Sequence, residues 1–207
     1  MLVKLSRIDI CFTSDLQRAR KTAGIIMEAH PQAEIVVDAR IKEKYLGKLE
    51  GTVYYTAQTK QNMATVEKPE HFVGRLLGWY DDLFPPPSQN NGHKSVLPDN
   101  GEDMTILVVS HGGPIKLLMP ALVKERNVQW SREAQDRADA MDHKVWNCSI
   151  TEVVMQQSAK PNAPWTGLIT KFASVDHFDQ AEMTVKQGTE ADAALSKDEE
   201  KTAEDRE

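Results

Sequence analysis

The stretch ILVVSHGGPIKLLMP, Ile106 to Pro120, places a titratable imidazole, His111, where an apolar run ends and a helical pattern starts. Gly112 and Gly113 allow a tight turn and a close approach of backbone. Pro114 suits a first helical turn, whose free N–H groups and dipole favour an anion. In open α/β sheets ligands bind beyond the carboxyl ends of the strands, and a strand-then-helix reading puts His111 there. Arg18 stands in the first turn of a helical pattern that follows the run RIDICFTS, Arg7 to Ser14, so the same topology aims it at the same crevice. An arginine at that place can pair bidentately with a phosphate or carboxylate. Two plainer readings stay open on these residues alone: a turn whose histidine bonds a backbone carbonyl, and an ordinary solvated charge at a helix start.

The elements that must carry these residues follow from periodicity. RIDICFTS reads as a strand, and Ser14-Asp15-Leu16-Gln17 fits a capping box in which Ser14 accepts from the helix amides and Gln17 reaches back. Leu16, Ala19, Ala23 and Ile26 then recur at helical spacing as far as His30-Pro31. EIVVDAR, Glu34 to Arg40, is a second strand, followed by the irregular stretch IKEKYLGKLEG. HFVGRLLGWYDDLF is helical, with Phe72, Leu76, Leu77, Tyr80 and Leu83 on its apolar stripe. Pro85 to Asp103 is rich in Pro, Asn and Gly and reads as a long exposed loop before the third strand, ILVVS. A polar segment, Gln129 to His143, leads to WNCSITEVVMQ, and this run forms a hairpin with TGLITKFAS across the turn PNAPW. The fold expected is a three-layer α/β/α sandwich with a mostly parallel sheet and a C-terminal hairpin.

Three segments now resemble, in order, the histidine phosphatase superfamily in its phosphoglycerate-mutase-like branch: TSDLQRARKTA (Thr13 to Ala23), IKEKYLGKLEG (Ile41 to Gly51) and VVSHGGPIKLL (Val108 to Leu118). NCSITEV resembles the strand that usually follows. The resemblance implies that Arg18, in the pattern S-x-L-x-R-A-x-x-T-A, binds phosphate, and that Glu43 is the general acid that protonates the leaving oxygen. It implies that His111 contacts the transferring phosphoryl group, beside the anion-binding backbone at Gly112. The activity implied is hydrolysis of small phosphomonoesters through a phosphohistidine, favoured over mutase chemistry. Lys44 stands where many members have arginine, and EKPEHF is all that matches the family's Gly-Glu-Ser segment, to which no role is assigned.

The family's first strand ends in Arg-His-Gly and carries the nucleophile. Among the six histidines here, His30, His71, His93, His111, His143 and His177, only His111 precedes a glycine, and it follows Ser110. The resemblance therefore implies a chain that starts inside the second strand, with the first strand missing from its place between the strands matching ILVVS and NCSITEV. On that reading the chain is inactive alone. The alternative is a pseudoenzyme that binds phosphate esters or a protein partner without turnover.

Composition bounds the remaining choices. With 207 residues the chain supports one domain, here residues 1–175, followed by an acidic tail at 176–207 that has too little apolar area to order itself. The tail holds eleven acidic and four basic residues, so of 31 acidic and 25 basic residues overall, 20 and 21 remain in the body. A near-neutral body argues against nucleic acid as a partner. Cys11 and Cys148 are read as buried free thiols in a reducing compartment, and no apolar run reaches membrane-spanning length. The expectation is a cytoplasmic protein with no cofactor, no metal site, no membrane contact and an oligomeric state left open, whose partner is a small phosphorylated substrate or inorganic phosphate.

Overall fold

Cys11 and Phe12 are chain neighbours that belong to two different cores. Successive strand residues point to opposite faces. Cys11 packs with Ile8, Ala23 and Met27, while Phe12 joins a larger cluster that includes Phe72, Leu76, Trp79, Leu118 and Leu122. The strand that carries both, β1 (Ile10–Thr13), thus lies between helix α1 (Gln17–Met27) on one side and helices α3 (Pro69–Leu83) and α4 (Gly112–Glu125) on the other. The computed structural model describes residues 7–51, 60–86, 102–140, 145–157 and 163–178.

β1 pairs in parallel with β2 (Glu34–Val37) and with β3 (Ile106–Val109), giving the order β2-β1-β3. A second three-stranded sheet has the order β4-β6-β5, from β4 (Val128–Trp130), β5 (Ile150–Gln156) and β6 (Thr166–Ser174). β4 runs parallel to β6, and β5 with β6 forms the expected antiparallel hairpin, its register broken near Glu152. The mixed α/β architecture with parallel pairing and flanking helices is as the pattern predicts. The strands are divided between two sheets, and among the described residues β3 pairs only with β1 and β5 only with β6.

Small side chains let α1 sit close to its sheet. Ala19, Ala23 and Met27 are buried, and Ile25 faces water. α3 buries all five residues of its predicted stripe and Trp79 besides, whose ring meets Phe12 edge-on at 5.9 Å. Its polar side is tied down by ion pairs: Asp81 takes both ends of the Arg126 guanidinium at 2.7 Å, and Asp82 pairs with Arg40. Between β2 and α3 the chain makes two 3-10 turns, at Ala39–Ile41 and Gly47–Leu49, and a short helix, α2 (Lys60–Met63). Gly47 has a φ of 58°, and a Cβ there would run into the backbone of Thr65, so the turn needs glycine on two counts.

One expectation fails. Cys148 is exposed, with a φ of 57° in the turn that precedes β5, because the strand begins only at Ile150. Cys11 is buried as expected, and burial pushes its thiol up to about 11. The polar segment from Gln129 holds regular structure: most of β4, then α5 (Arg132–Ala140), whose first turn is capped by Ser131 Oγ accepting from Ala134 N at 3.2 Å. MLVKLS, most of the Pro85 to Asp103 loop, the start of the PNAPW turn and the acidic tail from residue 179 lie outside the described residues. Among those described, no helix is long and apolar enough to cross a membrane, and no group of three or more His, Cys, Asp or Glu is placed to hold a metal ion.

Leu76 is wholly buried at the centre of the larger core and Ile25 is 69% exposed, so the two report on packing and on its absence. Leu76→Ala is expected to lower unfolding free energy by about 2–5 kcal/mol and Ile25→Ala by less than about 0.5 kcal/mol, read from urea midpoints. Equal midpoints for the two variants would show that α3 does not anchor this core.

Candidate active site

Residues 93 and 97 positions apart in sequence meet at the end of β3. Arg18 Nε donates to His111 Nδ1 at 3.1 Å, and His111 Nε2 lies 2.9 Å from Ser14 Oγ. A guanidinium N–H can only donate, so Nδ1 is the acceptor and the ring proton of a neutral imidazole sits on Nε2, donated to Ser14. Burial, and then the charge of Arg18, hold the His111 pKa below its ordinary value of 6.5, with Arg75 adding to the effect; Glu43 and Asp15 pull the other way. His111 is thus an uncharged donor in the resting pocket.

Ser14 is where the capping expectation fails. The helix starts at Gln17 with Leu16 as its N-cap and no side-chain cap. Ser14 Oγ accepts from Leu16 N at 3.2 Å, one residue short of the helix proper, and its remaining capacity faces His111. A fully buried hydroxyl takes the partner that geometry offers, and the fold brings the histidine to it. Nothing local in the sequence marks that contact.

Glu43 reaches the same corner from the irregular segment after β2. Its Oε1 accepts from Lys44 N at 2.8 Å and its Oε2 from Gly113 N at 3.2 Å. The free amide at the start of α4 that an anion was expected to find is, at Gly113, occupied by this carboxylate, and a negative group at a helix N-terminus is well placed electrostatically. A Cβ on residue 113 would collide with the carboxylate, so glycine is what lets Glu43 approach. Gly112 opens the helix with its own space limited by the Val145 carbonyl, 3.3 Å from where a Cβ would be. Ser110 Oγ donates to Ile41 O at 2.7 Å and stitches the end of β3 to the strip that bears Glu43.

The four residues named from sequence, Arg18, Glu43, His111 and Gly112, therefore stand around one corner, with Ser14 and Gly113 added by the structure. The chemistry available is a guanidinium joined to a neutral imidazole whose N–H meets a serine hydroxyl, flanked by a carboxylate held on two backbone amides. That set suits an oxyanion whose neighbouring oxygen needs a proton.

The model of the histidine phosphatase superfamily (branch 1) matches residues 2–85, the part that carries Arg18 and Glu43. Over those residues the chain is similar to the histidine phosphatase superfamily. A probable phosphatase of Schizosaccharomyces pombe is 26% identical over 184 residues, which are 84% of this chain and 75% of the relative. A phosphoglycerate mutase of the same yeast is 45% identical over 129 residues, 55% of this chain and 56% of that protein, so the match spans little more than half of the mutase. Among solved structures, a mycobacterial glucosyl-3-phosphoglycerate phosphatase aligns with a TM-score of 0.52 at 18% identity, covering 82% of this chain and 78% of that one, a likeness of fold.

Because the folded state holds His111 neutral, unfolding takes up a proton once the pH drops below the free imidazole value. The native state is expected to lose stability as pH falls through 6.5 and to level off below the folded pKa. Asp38 and Glu67, whose pKa values lie below the ordinary carboxylate range, add their own loss only at lower pH. Urea unfolding between about pH 7.5 and 5 should therefore show a slope in the native protein that His111→Asn flattens. Parallel slopes would assign the dependence to another group.

Proposed function

We propose that this pocket is the phosphoryl-binding part of a histidine phosphatase that acts on small phosphomonoesters. Arg18 takes two phosphoryl oxygens through its planar fork, and the His111 N–H, which meets Ser14 in the structure, turns to a third at the N-terminus of α4, beside Gly112. Both interactions grow as charge accumulates on the transferring group, so they favour the transition state over the ester. Glu43 gives its proton to the ester oxygen as the P–O bond breaks, which turns an alkoxide into an alcohol. The observation that carries this reading is the convergence of Arg18 on His111 and of Glu43 on Gly113 at one corner.

In the family, phosphorus is attacked by a histidine in an Arg-His-Gly motif, forming a P–N bond that water later breaks. None of the six histidines of this sequence has that context. On our reading the 207-residue chain binds phosphate or phosphate esters without turning them over, and hydrolysis needs the motif supplied. Release to water is preferred to mutase chemistry because no feature of the pocket is suited to retaining and re-donating the group. The two free cysteines and the near-neutral charge count of residues 1–175 support a cytoplasmic setting.

Titration calorimetry with inorganic phosphate should show binding that weakens at least tenfold in Arg18→Ala, about 1.4 kcal/mol or more. In the same experiment p-nitrophenyl phosphate should be stable to the chain alone and hydrolysed by a folded fusion bearing an N-terminal strand with Arg-His-Gly. Phosphate binding indifferent to Arg18 would remove the pocket from the argument. A folded, phosphate-binding fusion without hydrolysis would remove the phosphatase.

A further inference from the structure

Arg75 has every one of its five donors engaged, three on backbone carbonyls at and just before Glu43 and two on the Glu67 carboxylate. A guanidinium offers five N–H groups in a rigid plane. Nε donates to Glu67 Oε1 at 2.7 Å and one Nη2 proton to Glu67 Oε2 at 3.0 Å. Nη1 donates to the carbonyl of Arg40 and to that of Lys42, the latter at 2.9 Å, and Nη2 to the carbonyl of Glu43 at 3.1 Å. Its flat face lies 4.5 Å from the Phe72 ring centroid. The side chain is mostly buried, as is that of Glu67.

Glu67 secures the other flank. Its Oε2 accepts from Tyr45 N at 3.1 Å, and its own N–H donates to Tyr45 O at 2.8 Å. The guanidinium and the Tyr45 amide hold this carboxyl below the usual carboxylate range against the opposing effect of burial. Residues 40 to 45 are thus gripped on both sides of Glu43 by one ion pair, between a helix residue and a residue two positions ahead of that helix.

We propose that Arg75 and Glu67 are positioning residues for Glu43, a clamp that sets where its carboxylate meets the amides of Lys44 and Gly113. The inference rests on the reading of Glu43 as the acid of the pocket, but its geometry does not depend on phosphate. The strip between Asp38 and Gly47 is neither strand nor α-helix, so its carbonyls find few partners in its own backbone. A lysine could not replace Arg75: three donors radiating from one atom cannot span three carbonyls and a carboxylate.

The test uses the full chain, labelled with nitrogen-15, with the Lys44 and Gly113 amides followed against pH as reporters of the Glu43 carboxylate. Glu43→Gln defines complete loss of their titration. Arg75→Lys and Glu67→Gln are each expected to cut the titration amplitude at both amides at least twofold, while amides of the β5–β6 hairpin stay in place. If Arg75→Lys does not fold, Glu67→Gln, which keeps the shape and an acceptor for Tyr45, gives the same readout. A clamp that only stabilised the fold would lower the melting temperature and leave the amplitude unchanged, and that result in a folded variant would overturn the proposal. Phosphate calorimetry on the same samples separates the outcomes, because failure of phosphate binding in the native chain bears on the pocket's function and not on the clamp.

Discussion

Three backbone carbonyls, at Arg40, Lys42 and Glu43, in a strip that is neither strand nor α-helix, need partners before the corner at the end of β3 can form, and one mostly buried guanidinium supplies them. The condition reaches outward. Arg75 can stand there only because α3 is fixed by its apolar stripe against Phe12, and its charge is tolerable inside only because Glu67 shares it. A buried cation left without that partner would be strongly destabilising. The backbone that bears Glu43 is therefore held by a residue of α3.

The other half of the corner is built on parallel pairing. With β1 and β3 side by side in register, their carboxyl ends are level, so Ser14 follows Thr13 opposite Ser110 and His111 after Val109. The amide of Ser14 donates to Val109 O at 3.0 Å, continuing the ladder into the loops. From there α1 carries Arg18 forward and α4 begins at Gly112, which makes the meeting of arginine and histidine a consequence of sheet geometry.

Much of this was legible in the residues. Alternation and helical spacing located β1, α1, α3, α4 and the terminal hairpin, because in each apolar side chains recur at regular intervals on one face. Arg18, His111 and Gly112 could be grouped by the rule that strand ends collect sites, and Glu43 by the family resemblance. What escaped depends on contacts with no local signature. β4 is three residues long with a glutamine at its centre, and α5 buries little besides Ala134, so neither shows a stripe. Ser14 looked like a cap because a capping motif and a histidine partner demand the same hydroxyl. Arg75 and Glu67, eight residues apart, left one clue: an arginine between Phe72 and Leu76 on a helix whose neighbouring positions are core.

The bond from Arg18 to His111 has a further meaning for anion binding at this corner. The cation already holds a neutral acceptor, so an anion entering would compete with the imidazole for the guanidinium. Taking Arg18 away would free Nδ1, and the negative guest would make a second proton on the ring easier to hold. Ligand and proton would then strengthen each other's binding by equal factors.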